Sequence, residues 1–191
     1  MKKKILKDQK GFTLVELAIV LVIIGIILGA VLKGQEIIKN AKIKRLYNDY
    51  MGYLGAINTY QDRYSALPGD DNTATTKFSG CATHNGDNDG RMDDEDGATY
   101  GYYWEHLRCA GIISGSGIYH PKHPFAGNVY INYNDYNISG HTLCFTNVPG
   151  DVADVIDVKY DDGDPHTGSI QGNATATSYN HTISYTLCFR M

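Results

Sequence analysis

The chain has 191 residues and a formal net charge of −4, long enough for one compact domain plus one extended element. The charge is uneven: residues 1–11 hold five Lys and one Asp, and the remainder carries 12 Lys and Arg against 20 Asp and Glu, a net of −8. So acidic a remainder does not invite nucleic acid by charge alone, while 21 Gly and 15 Tyr suit short strands and turns rather than an all-helical domain.

Phe12 to Leu32 is a run of 21 residues with one charge, Glu16. At about 1.5 Å per residue it spans a hydrocarbon core of roughly 30 Å. Lys2, Lys3, Lys4, Lys7 and Lys10 precede it, which predicts a cytoplasmic N-terminus and an outward-facing C-terminal domain. A cleaved secretory signal needs a small-x-small site after the apolar stretch, and Gly29-Ala30-Val31-Leu32-Lys33 is a poor one. Glu16 is costly inside an apolar span unless it finds a cation at the same depth. A cut after Gly11 would place an α-ammonium group on Phe12, and Glu16 of a neighbouring copy could pair with it.

Lys10-Gly11-Phe12-Thr13-Leu14-Val15-Glu16 resembles the type IV prepilin processing site in full. The resemblance implies cleavage after Gly11 by a prepilin peptidase, N-methylation of Phe12, and an assembly role for Glu16. It implies a leader over residues 1–11, a transmembrane and assembly helix over 12–36, and an extracytoplasmic head over 37–191. The implied setting is a bacterial inner membrane, with the head in the periplasm and the chain later in a periplasmic or surface filament. Partners follow: other pilin or pseudopilin subunits through the N-terminal helix, the prepilin peptidase, the inner-membrane assembly platform and membrane lipid.

Beyond Leu32 the pattern turns amphipathic, with Ile43, Leu46, Tyr47, Tyr50, Leu54, Ile57, Tyr60 and Tyr64 at three- and four-residue steps. Leu67-Pro68-Gly69-Asp70 ends this helix. A helix from Phe12 to Tyr64 is roughly 80 Å long. Its first half must therefore lie in lipid or against other copies. Gly25 and Gly29 stand four apart, a spacing that permits close helix approach. Lys39, Lys42, Lys44 and Arg45 fall where lipid head groups would lie.

Residues 70–127 read as loop-rich. Asn85-Gly86-Asp87-Asn88-Asp89-Gly90-Arg91-Met92-Asp93-Asp94-Glu95-Asp96 fits a calcium loop of the EF-hand or dockerin type. Asn85, Asp87 and Asp89 take the first, third and fifth positions, Gly90 the turn, Arg91 a carbonyl position, Asp93 the ninth and Asp96 the twelfth. Asp96 is one carbon shorter than the usual bidentate Glu. So many carboxylates repel one another unless a cation neutralises them. A second acidic turn over 157–164 is a weaker candidate, because Asp-Gly turns are common without metal. The first loop also resembles that of pilin-like proteins in which an acidic Asn/Asp-Gly loop precedes a Trp-x-x-Leu helix, here Trp104-Glu105-His106-Leu107. Some type II secretion pseudopilins use calcium to order their loops.

A short helix is predicted near 102–110, with Trp104 and Leu107 inward. Alternation predicts strands within 128–147, at Val129, Ile131 and Tyr133 and at Leu143 and Phe145, and again over 182–190. Residues 149–158 read as a short helix or turn. The whole is an α+β head: a small antiparallel sheet covers the apolar stripe of residues 43–64, with disulfide-stapled loops. That order matches the type IV pilin fold.

Cys81, Cys109, Cys144 and Cys188 form no CxxC pair, and an even count in an exported domain reads as two disulfides. Thr142-Leu143-Cys144-Phe145 recurs as Thr186-Leu187-Cys188-Phe189, so paired strands would bring Cys144 to Cys188, leaving Cys81 for Cys109.

No Gly-x-Ser-x-Gly, P-loop or dinucleotide fingerprint is present. The expected function is a structural subunit of a type IV pilus or a type II secretion pseudopilus, not an enzyme. The rival reading is a minor tip pilin acting as an adhesin or DNA-uptake binding module.

Overall fold

The computed structural model describes residues 11–92 and 101–191. The chain divides into two compact units, residues 1–41 and residues 42–191. A single helix, α1 (Leu14–Tyr64), contributes to both.

From Leu14 to Leu32 α1 carries Glu16 as its one charge, and its large apolar side chains stand exposed. It is long and apolar enough to cross a membrane. A Cβ on Gly25 or Gly29 would meet nothing within 4 Å.

The second unit is built on a four-stranded antiparallel sheet. Its strands are β1 (Val129–Tyr133), β2 (His141–Pro149), β3 (Ile170–Gly172) and β4 (Ser184–Arg190), in the spatial order β1-β2-β4-β3. The period-two pattern sets the faces. Val129 and Ile131 pair with Phe145 and Leu143, and these pair in turn with Leu187 and Phe189, so one continuous apolar face forms. A register shift between Phe145 and Val148 lets both turn inward, with Asn147 absorbing a positive φ of 57°.

The residues of α1 from Lys42 onward cover this face. Ile43, Leu46, Ala56, Ile57 and Tyr60 are buried. The tyrosines between them lie on partner rings: Tyr47 stacks on Tyr160 at 3.6 Å, Tyr50 on Phe189 at 4.7 Å, and Tyr53 meets Trp104 edge-on at 4.9 Å. Such pairs add about 0.5–1.5 kcal/mol each beyond the area they bury. The helix α4 (Gly150–Tyr160) supplies Val152, Ala153 and Ile156 to the same core. The helix α3 (Tyr102–Cys109) supplies Tyr103, Trp104 and Leu107. A one-turn helix, α2 (Ala74–Lys77), follows α1.

Both disulfides are formed, Cys81–Cys109 and Cys144–Cys188. Cys144 and Cys188 are directly paired in the sheet, on the face away from the main core, where they form a small cluster with Ile138. The Cys81–Cys109 bridge fastens the loop after α2 to the end of α3.

Candidate functional site

Two regions concentrate the functional residues. At the first, Gly11 and Phe12 are exposed ahead of α1, and residues 1–10 lie outside the described residues. Glu16 does not project freely. Its Oε2 accepts hydrogen bonds from Thr13 N at 2.8 Å and Thr13 Oγ1 at 2.9 Å. Thr13 Oγ1 in turn accepts from Glu16 N at 3.2 Å. This is a reciprocal capping box, readable in the Thr-x-x-Glu spacing. Glu16 thus starts the helix as well as placing a carboxylate in an apolar span.

The second region is the turn that ends α1 and the acidic loop laid against it. Gly69 has φ +91° and donates its N–H to His106 Nδ1 at 2.9 Å, while His106 Nε2 reaches His84 O at 3.0 Å. His106 is buried, and burial lowers its pKa; the neutral ring joins the end of α1, α3 and the loop. Residues 86–90 then run beside residues 70–71. Gly86 N donates to Asp71 O at 3.0 Å and Asn88 N to Asp70 O at 3.1 Å. A Cβ on Gly86 would collide with the backbone of Gly69 and Asp70, so only glycine permits this approach. Glu105, buried on α3, accepts from Thr83 Oγ1 at 2.8 Å and His84 N at 3.2 Å.

Asp70 and Asp71 are both buried but differ in their partners. Asp71 accepts from Tyr60 OH at 2.8 Å, Thr73 N at 2.9 Å, Thr73 Oγ1 at 2.8 Å and Lys77 Nζ at 2.7 Å. Burial opposes its ionisation, but these donors outweigh it and hold the carboxyl at about 2. Asp70 has less help: its Oδ2 accepts from Gly90 N at 3.1 Å. Burial pushes its pKa above the usual range, against the Gly90 and Asp89 N–H groups.

Asp87 and Asp89, expected as calcium ligands, come together with Asp70, and the three offer ligand atoms within 4.8 Å of one another. Asp70 lies outside the twelve-residue motif and was not anticipated. Asn85 is engaged elsewhere, its Oδ1 accepting from Thr75 N at 2.8 Å. Arg91 Nε stands 3.3 Å from Asp89 Oδ2, with its guanidinium over the Tyr133 ring. Asp93 and Asp96 lie outside the described residues.

In the second acidic turn Asp157, Asp161 and Asp162 also cluster. Their oxygens hold the loop instead. Asp157 accepts from Tyr179 OH at 2.9 Å and Gly163 N at 3.1 Å. Asp161 Oδ2 accepts from Ser169 N and Ile170 N, and Asp162 from Asp164 N and Thr167 Oγ1. Burial raises the Asp157 carboxyl to about 6, against the hydrogen bonds from Tyr179 and Gly163. A folded-state pKa above the ordinary 3.8 means that the fold favours the protonated form. The associated stability is complete below about 4 and is lost as pH rises through about 6. Asp157→Asn, which carries no charge at either pH, should gain on the wild type between pH 4 and pH 7. The gain is at most about 3 kcal/mol in unfolding free energy. Denaturant titrations of both proteins at the two pH values measure it; a constant difference contradicts the assignment.

Residues 6–32 match the family model for the prokaryotic N-terminal methylation motif. Neither the curated proteins nor the solved structures compared with the chain show a match. The motif indicates a structural protein processed by a prepilin peptidase and assembled with other pilin subunits, and the single apolar N-terminal helix fits membrane anchoring. A methylation motif at the head of a long apolar helix, whose later turns pack on a four-stranded antiparallel sheet stapled by two disulfides, supports a type IV pilin-like protein.

Proposed function

We propose that the chain is a subunit of a type IV pilus or a type II secretion pseudopilus. It enters the inner membrane with its N-terminus in the cytoplasm and its head in the periplasm. The leader, residues 1–11, is removed between Gly11 and Phe12, and residues 12–36 then pack against other copies. The observation that carries this reading is the methylation motif over residues 6–32. The physical support is the Leu14–Leu32 stretch of α1, whose large apolar side chains are uncovered in the single chain. That surface needs lipid before assembly and helices of other subunits after it. The basic leader supplies the orientation.

The chain should be shortened only in membranes that hold an active prepilin peptidase, and should stay full-length beside an inactivated one. Immunoblots of the two membranes make the comparison. A full-length chain beside an active peptidase contradicts the proposal. Pilus and pseudopilus are distinguished by the neighbouring genes: a retraction ATPase or competence genes favour the former, a secretion operon with its secretin the latter.

A further inference from the structure

We propose that Asp70, Asp87 and Asp89 hold one calcium ion, which ties the acidic loop to the turn that ends α1. This goes beyond the filament reading and does not depend on it, since the site lies wholly within the second unit.

The carboxylate of Asp70 is the anchor. The residue is 7% exposed. Oδ2 is committed to Gly90 N, while Oδ1 is shut off from water and has no hydrogen-bond partner among the described residues. A buried carboxylate oxygen without a donor is costly, and a cation removes the cost. The nearby cation Lys77 is drawn to Asp71 at 2.7 Å instead.

The geometry suits one ion. Calcium–oxygen distances of about 2.3–2.6 Å place opposite ligands about 5 Å apart. The three carboxylates offer oxygens within 4.8 Å of one another. Each also has an oxygen fixed by a backbone N–H: Asp70 by Gly90, Asp87 by Asp89 at 3.1 Å, and Asp89 by Arg91 at 2.8 Å. The ligands are therefore held before the ion arrives. Arg91 neutralises one charge at Asp89, which leaves two negative charges for a divalent cation. All the donors are hard carboxylate oxygens, which excludes a preference for zinc or copper. An irregular set drawn from two separated segments, with Asp87 and Asp89 open to water, suits the tolerant coordination of calcium better than the strict octahedron of magnesium. Three carboxylates on a partly exposed site place the dissociation constant on the order of 10⁻⁴–10⁻³ M.

The twelve-residue motif alone would assign the ligands to residues 85–96. Recruitment of Asp70 changes the consequence: the ion clamps the loop to the exit of α1.

The test uses the full chain in detergent micelles, stripped with chelator and titrated with calcium chloride or magnesium chloride by calorimetry. Thermal unfolding is followed in parallel through Trp104 fluorescence. Wild type should bind one calcium per chain and melt several degrees higher at saturation than in chelator. Magnesium should bind at least tenfold more weakly. Asp70→Asn, which keeps an acceptor for Gly90 N, and the exposed Asp87→Asn should each match wild type in chelator and lose the calcium-dependent rise. The proposal is overturned by no heat of binding at 10 mM calcium, by equal binding of magnesium, or by an Asp70→Asn variant that binds as wild type does. Because the readout is taken on unassembled chains, its failure would leave the filament reading untouched.

Discussion

Glu16→Gln is expected to insert into the membrane at least as well as wild type and to enter filaments at least tenfold less. A carboxylate in an apolar span costs a few kcal/mol of insertion free energy, so removing its charge favours insertion. Assembly reverses the balance. Under the proposed function, a cut after Gly11 would leave Phe12 with an ammonium group, which stays charged on methylation, and a neighbour's Glu16 would be its natural counter-ion. Two unit charges about 4 Å apart attract by roughly 4 kcal/mol at an effective dielectric of about 20. Without that attraction the ammonium remains uncompensated among apolar helices. The choice of Gln over Ala matters because Glu16 also closes the capping box with Thr13. Gln preserves that cap, whereas Ala loses the cap as well, worth about 0.5–2 kcal/mol. Quantifying the variant in sheared filaments and in membranes separates the two roles. Incorporation of Glu16→Gln at the wild-type level would show that the charge serves the cap alone.

Asp71→Ala should destabilise the second unit by about 2–4 kcal/mol, because its buried, hydrogen-bonded carboxylate is lost while the Lys77 ammonium, 31% exposed, keeps part of its hydration. The truncation orphans the Tyr60 hydroxyl, whose side chain is wholly buried, and leaves Lys77 without its carboxylate. It also removes the acceptor for two Thr73 donors in the turn leading to α2. Asp71→Asn keeps an acceptor for Tyr60 or Thr73 and loses only the charge, so about half the effect or less is expected. Denaturant unfolding of the full chain in micelles, followed by near-ultraviolet dichroism, compares the three. An Asp71→Ala variant within about 1 kcal/mol of wild type would show that the network contributes little.

The elements that were legible in the sequence are those with sustained periodicity. The apolar run, the tyrosine-bearing stripe, the alternation through β1, β2 and β4, and the repeated Thr-Leu-Cys-Phe each follow from a residue period that burial enforces. At one point the stripe that packs on the core takes Tyr53 where the sequence pattern has Leu54. Leu54 is half-buried, while Tyr53 reaches Trp104 and Ala56 is buried, because the contact line advances by alternating three and four along α1. The helix α2 and the strand β3 are too short to carry a period, and Ile170-Gln171-Gly172 has no alternation to read. The role of Asp70 is not legible in the sequence for a different reason. Its partners are distant in the chain, and they meet only because Gly86 lets two backbones touch. The capping box of Thr13 and Glu16 is legible in the Thr-x-x-Glu spacing, apart from the cost of a charge in an apolar span.

In the proposed function, cleavage between Gly11 and Phe12 is the event on which assembly, the Phe12 charge and the role of Glu16 would all depend. Intact mass of the chain extracted from its native membrane, together with sequencing of its N-terminal peptide, tests it most directly. The expected product begins at N-methyl-Phe12 and retains the whole of α1. A mature chain that begins at Met1, or one that begins downstream of Ala30, would contradict the account.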